Sequence, residues 1–147
     1  MNARLRLSNI VTRLTAQLAV GPKIGSVYDR DYIEAYGKNL PEIWVSGQRL
    51  TSIDDGRGLS SQMRQYCHAD LAIRVMMARF PEGVADPETA FAALCDSVAA
   101  ALIGWTPPNA VESFAWQSSM DGESNQSMIY SDLVFRTRTI HLYPITP

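Results

Sequence analysis

Between Met63 and Met77 the chain alternates so regularly that one kind of structure is required there. Met63, Cys67, Ala69, Leu71, Ile73, Val75 and Met77 share one parity, and Arg64, Tyr66, His68, Asp70 and Arg74 share the other. Successive side chains of a strand point to opposite faces, so a period of two over about fifteen residues predicts a long strand with one buried and one wet face. Pro81 and Gly83 end it.

Two helices stand on either side of this strand. Leu7, Ile10, Val11, Leu14 and Leu18 follow helical spacing, with Arg6, Asn9, Arg13 and Gln17 opposite, so roughly Ala3 to Ala19 reads as an amphipathic helix. Gly21-Pro22 stops it, because proline cannot continue the hydrogen-bond ladder. The second helix opens at Asp86-Pro87-Glu88 with a capping carboxylate, a proline in the first helical position and an acid in the first turn. Phe91, Leu94, Cys95, Val98, Ala99 and Leu102 form its apolar stripe, and Gly104 is its C-terminal cap.

Shorter signals fill the rest. Lys23 to Tyr28 suits a short strand, Asp29 to Leu40 a loop or one loose helical turn, and Glu42 to Ser46 a strand ending at Gly47. The polar stretch Thr51 to Gln62, centred on Asp54-Asp55-Gly56-Arg57-Gly58, is longer than an ordinary connection; such loops are functional or order against a partner. Trp105 to Asn109 is a rigid connector. Val111 to Met120 and Met128 to Tyr143 read as a hairpin around Asp121 to Asn125, with Phe114 and Trp116 of one parity. In its second arm Ile129, Leu133 and Phe135 lie on one face but Ile140 and Leu142 on the other. That change of parity implies a β-bulge, or an outer face covered by something beyond this chain. The expected fold is α+β, a twisted, mostly antiparallel sheet of about five strands flanked by two main helices, in a single domain over residues 1–147.

Composition narrows function mainly by exclusion. With 147 residues, 46% hydrophobic and 19% charged, the chain has the length and apolar content for one stable core. Its net charge of −2 carries no basic excess, which argues against sequence-specific nucleic-acid binding. Eleven arginines accompany only Lys23 and Lys38. Arginine is enriched at protein interfaces, although a GC-rich genome would produce the same bias. Cys67 and Cys95 make no disulfide framework and read as small buried thiols. Arg4, Arg6 and Arg13 interrupt any leader-like run, and no stretch approaches the ~20 apolar residues of a membrane span, so a protein made in the cytosol is expected.

Residues suited to bond chemistry are sparse. Cys67 and His68 face opposite ways on a strand and cannot pair, whereas His68 and Asp70 share a face about 7 Å apart. A small hydrolase using His68 with Asp70 is therefore the enzymatic alternative, and ordinary polar contact across strands is the plain one. No phosphate cradle and no zinc spacing occurs, so neither cofactor nor metal is expected. Asp54 and Asp55 suit a solvated pair better than a cation site. Trp44, Phe114 and Trp116 lack the interleaved basic residues of a base-stacking platform. Arg136 and Arg138 share one face of the last strand, where they pair with acids of the same domain or reach a neighbouring subunit.

The order of these features resembles the tail terminator (minor tail, tail-completion) proteins of tailed bacteriophages and prophages. The N-terminal helix, Leu40-Pro41-Glu42-Ile43-Trp44-Val45, the long strand from Met63, the capped helix and the closing Asp132-Leu133-Val134-Phe135-Arg136-Thr137 carry the likeness. It spans nearly the whole chain and is one of layout, since such families have no short catalytic motif. The resemblance implies a non-enzymatic virion component: a homohexameric ring that caps the tail tube, halts its growth and offers a surface to the head. Its partners would be the tail tube protein and a neck or head-completion protein, with DNA passing through without being read. A head–tail connector of the same particle is the neighbouring alternative. A closed ring joins unlike patches, so each subunit must carry two. Asp54, Asp55 and Arg57 in the long loop, the hairpin tip at 121–127, and Arg136 with Arg138 are the candidate interface residues.

Overall fold

The computed structural model describes residues 3–18, 20–53, 62–125 and 127–144. In chain order the elements are α1 (Leu7–Gln17), β1 (Lys23–Ser26), α2 (Tyr32–Ala35), β2 (Glu42–Ile53), β3 (Gln62–Ala78), α3 (Pro87–Leu102), β4 (Ala115–Asn125) and β5 (Met128–Pro144). The five strands form one open sheet in the order β1-β2-β3-β5-β4. Only β1 and β2 are parallel; the other neighbours are antiparallel.

The alternating segment is the central strand, as its pattern requires. Ala69, Leu71, Ile73 and Val75 are fully buried on its inner face, where Leu133 and Phe135 of β5 continue the surface. Both long helices cover this face. Leu7, Ile10 and Leu14 of α1 and Val98, Ala101 and Leu102 of α3 enter the same core. Each large aliphatic side chain buried there contributes about 1.5–3 kcal/mol of transfer free energy.

The helix ends follow their local chemistry. Asp86 caps α3 by accepting hydrogen bonds from the Thr89 amide (3.2 Å) and hydroxyl (2.7 Å). Gly104 follows the last turn with φ +84°, a left-handed position that glycine adopts without strain. By contrast α1 begins at Leu7, not near Ala3. No side chain caps its start, and Ala3, Leu5 and Leu7 are buried while Arg4 and Arg6 are exposed. That is the period of an extended chain, and the Gln48 side-chain amide stitches it down. Its oxygen accepts from the Leu5 amide (2.9 Å) and its nitrogen donates to the Leu5 carbonyl (2.8 Å).

Three expectations about the strands need correction. Gly47 does not end β2; it adjoins a register shift between Val45 and Gly47, and the strand runs on to Ile53. Asp121 to Asn125 is the end of β4, not a turn, because Gly122 lies opposite Tyr130 and leaves the space its ring occupies. β5 also carries no bulge. It pairs with β3 without a register shift, and Ser131, Leu133, Phe135, Thr137 and Thr139 are buried in unbroken alternation. Two buried threonines hide the pattern from an apolar count, and Ile140 faces outward opposite Tyr66. The Leu142 side chain lies outside the described residues.

One end of the outer face is covered by the short helix α2 and its flanks. Trp44, Met76 and Met128 pack there against Tyr32, Tyr36 and Leu40. The fully buried Glu42 carboxylate pins this cover, accepting from the Gly37 amide (2.8 Å), the Asn39 amide (2.8 Å) and Trp44 Nε1 (2.7 Å). Replacing Glu42 by Leu would leave three donors without an acceptor, so Glu42→Leu is expected to lower stability by about 3–5 kcal/mol. Urea denaturation measures this; a loss below about 1 kcal/mol would mean that water satisfies those donors instead.

Candidate functional site

Beyond the patch under α2, no element of the described chain covers the outer face of β2, β3 and β5. Register decides which side chains meet there. Asp70 lies opposite Arg136, and His68 opposite Arg138. The Asp70 carboxylate accepts from Arg136 Nε (2.7 Å) and Nη2 (3.1 Å), a two-pronged pair that raises the Arg136 pKa further above its ordinary value. Arg138 Nε sits 3.2 Å from Glu112, at an angle that makes no hydrogen bond, and its guanidinium lies 5.8 Å from the Tyr66 ring. The expected face shared by Arg136 and Arg138 is therefore real, and both arginines have acidic neighbours within the domain. Asp54, Asp55 and Arg57 lie outside the described residues.

These pairs bear on the hydrolase alternative. His68 and Asp70 do share a face, but both Asp70 oxygens are engaged by Arg136. Cys67 is buried on the opposite face, where burial raises its pKa. Among the described residues no group of three His, Cys, Asp or Glu is placed to hold a metal ion.

A second polar cluster went unread in the sequence. Arg74 donates to both Asp132 oxygens (2.8 Å each) and to the Tyr36 hydroxyl (3.0 Å), and its guanidinium stacks 4.0 Å from the Tyr130 ring. It clamps the α2 segment to β3 and β5. Parity placed Arg74 on the wet face, but only the β3–β5 register shows that Asp132 stands beside it.

The third feature is a groove of about 500 Å³ between α3 and the inner face of β4. Phe91, Cys95 and Ile103 of the α3 side face Trp116 of β4, and Glu88, Asp96 and Asp121 line the same space. Burial first, then the nearby Asp121 and Asp96, push the Cys95 thiol up to about 11, although a hydrogen bond with Ser131 opposes the shift. A thiol so held is protonated at neutral pH and is no nucleophile.

Fold and surface together define a small α+β domain with one helix-covered face and two open sheet edges. A family model for phage tail terminator proteins matches residues 1–144, and the chain belongs to that family. Membership makes it a structural tail protein. The fold is similar to that of a chain in the virion of a native gene transfer agent particle. The TM-score is 0.60 at 14% identity, over 93% of this chain and 96% of that one, and at this identity the likeness is one of fold. No curated protein matches the sequence at a significant level.

The Cys95 environment has a measurable consequence. Its thiol needs about 2 pH units more alkalinity than an ordinary one to ionise, but a more basic thiolate is the better nucleophile, so iodoacetamide should label Cys95 roughly tenfold more slowly at pH 7.5. The rate should climb toward pH 11, followed by mass spectrometry in a Cys67→Ala background. Labelling at the rate of a free cysteine would show that the groove is neither dry nor acidic.

Proposed function

We propose that copies of this chain close into a six-membered ring at the head-proximal end of a phage-type tail. There the ring caps the tube, stops its growth and presents the surface to which the head is joined. The observation that carries the reading is the family match over residues 1–144. The open sheet supports it: β1 offers an edge of four residues and β4 one of eleven, so the two edges are unlike. A cyclic assembly joins one patch to a different patch on the next copy, and two unlike edges on opposite sides of one domain meet that requirement.

Growth arrest then follows from surface inequality. A tube elongates while each added ring recreates the surface that the previous ring offered. A cap whose lower face fits the tube and whose upper face differs ends the series, and the upper face is free to receive a neck or head-completion protein. DNA would pass through the lumen without being read, which fits a chain with a net charge of −2.

Arg136 and Arg138 are proposed to border a neighbouring subunit, which would bring the loop containing Asp54, Asp55 and Arg57. Each of the two side chains keeps 36% of its surface exposed beside its own acidic neighbour. In Arg136→Gln with Arg138→Gln, mass photometry should show fewer rings, while monomer stability falls by about 1–3 kcal/mol, most of it from the largely buried Asp70 losing its partner. Unchanged rings would mean that these arginines serve Asp70 and Glu112 alone.

The function itself is tested in particles assembled without this chain. Electron microscopy should show tails of unregulated length with no heads joined. Headless tails of normal length would assign the chain to the head–tail connection and leave termination to another protein.

A further inference from the structure

Residues 3–6 enter the core without joining a strand or a helix. Ala3 is 3% and Leu5 4% exposed, yet the Leu5 backbone is held by a side chain far along the sequence. The register shift between Val45 and Gly47 sets Gln48 opposite Leu71, on the inner side of β2. From there its carboxamide offers an acceptor and a donor side by side, as a backbone peptide does. The Leu5 amide and carbonyl take both, at 2.9 and 2.8 Å. The clasp stands in for one rung of a strand ladder.

Two further features set this segment apart from the rest of the domain. The backbone passes from extended to helical at Arg6 (φ −89°, ψ 117°), where α1 starts without a side-chain cap or an acid in its first turn. Loosening the chain ahead of Leu7 therefore costs α1 no capping contact. Leu7, Ile10 and Leu14 hold the helix in the core by themselves. The segment's own balance is also close. Burying Ala3 and Leu5 and making the two bonds of Leu5 gains about as much as four residues lose in backbone freedom. Arg4 and Arg6 are exposed, and contacts made by side chains so wet add little.

We infer that residues 3–6 form a latch that opens as a unit while the domain stays folded, with Gln48 as its catch. Open, it bares Leu5 and the part of β2 beside Gln48, where Leu50 shares the inner face opposite Ala69. The closed chain thus withholds apolar surface that the open one offers. Segments with few contacts open locally in this way, below the free energy of global unfolding. The latch belongs to the single chain and does not rest on the ring.

Native-state hydrogen exchange tests it on the wild-type chain. The Leu5 amide should exchange at least roughly a hundredfold faster than those of Ala69 and Val75 in β3, at a rate that stays constant in urea too dilute to unfold the domain. Trypsin cleavage after Arg4, read by mass spectrometry, reports opening independently of that amide. Gln48→Leu, which removes both hydrogen-bonding groups, should speed this cleavage roughly tenfold or more while the β3 amides stay as slow as before. Leu5→Ala, which keeps the catch and removes the burial, should act in the same direction. Leu5 exchange that rises with urea in step with β3 overturns the latch, because the segment then opens only with the whole domain. Unchanged cleavage in a folded Gln48→Leu variant overturns the role of Gln48. The urea dependence needs no variant, so it decides for or against the latch even where a substitution prevents folding.

Discussion

Seventeen consecutive residue pairs join β3 to β5 without a shift of register, from Gln62 opposite Pro144 to Ala78 opposite Met128. A slip of one residue would turn Leu133 and Phe135 out to water and bring Asp132 and Arg136 into the core, so the pairing tolerates no displacement. The two faces of the domain inherit their character from this alignment. On the inner face it sets Leu71 beside Phe135 and Ile73 beside Leu133, the surface onto which α1 and α3 pack. On the outer face it sets Asp70 beside Arg136 and Arg74 beside Asp132. Burial and charge pairing thus favour the same register, and neither has to be sacrificed to the other.

The outer-face pairs are not large sources of stability. Arg74 and Asp132 keep about a third of their side chains exposed, and a pair so wet contributes about 1 kcal/mol or less; Arg136 is as exposed, but its partner Asp70 keeps only 16%. Their effect is positional. Arg74 ties Tyr36 to the sheet, and Glu42 from below fixes the Gly37 and Asn39 amides, so a segment with only four helical residues becomes a rigid cover. That cover closes the outer face near Trp44 and leaves the remainder of that face, with both edges, as surface.

The central strand, both long helices and the cap at Asp86 were legible because each is written in a local period or a local cap. Failures came where one residue type has two meanings. Gly47 and Gly122 look like turn residues, yet one adjoins a bulge and the other makes room for Tyr130. Thr137 and Thr139 look polar, yet both are buried, and Thr137 donates to the Glu112 carbonyl at 2.6 Å. Leu5 and Leu7 fit a helical stripe and an extended strip equally well, and Gln48, more than forty residues away in sequence, decides between them. The candidate site was legible to the same depth. Parity put Arg136 and Arg138 on one face, but their neighbours Asp70 and Glu112 follow from register and a distant loop, which no local pattern encodes.

An open edge strand of eleven residues is ordinarily an invitation to pair with any other strand, and β4 is exposed along most of its length. Two register shifts, after Trp116 and after Glu123, interrupt its regularity. Its charge acts more selectively. Two copies meeting β4 to β4 would bring Asp121 and Glu88 of each into one seam, where Arg79 lines the same space but is already paired with Glu123. Like charges so placed oppose two-fold pairing. The carboxylates beside β4 therefore disfavour a symmetric dimer and leave head-to-tail contact as the way copies meet. Repeated head-to-tail contact gives either a closed ring or an open helix, and the angle between successive copies chooses between them.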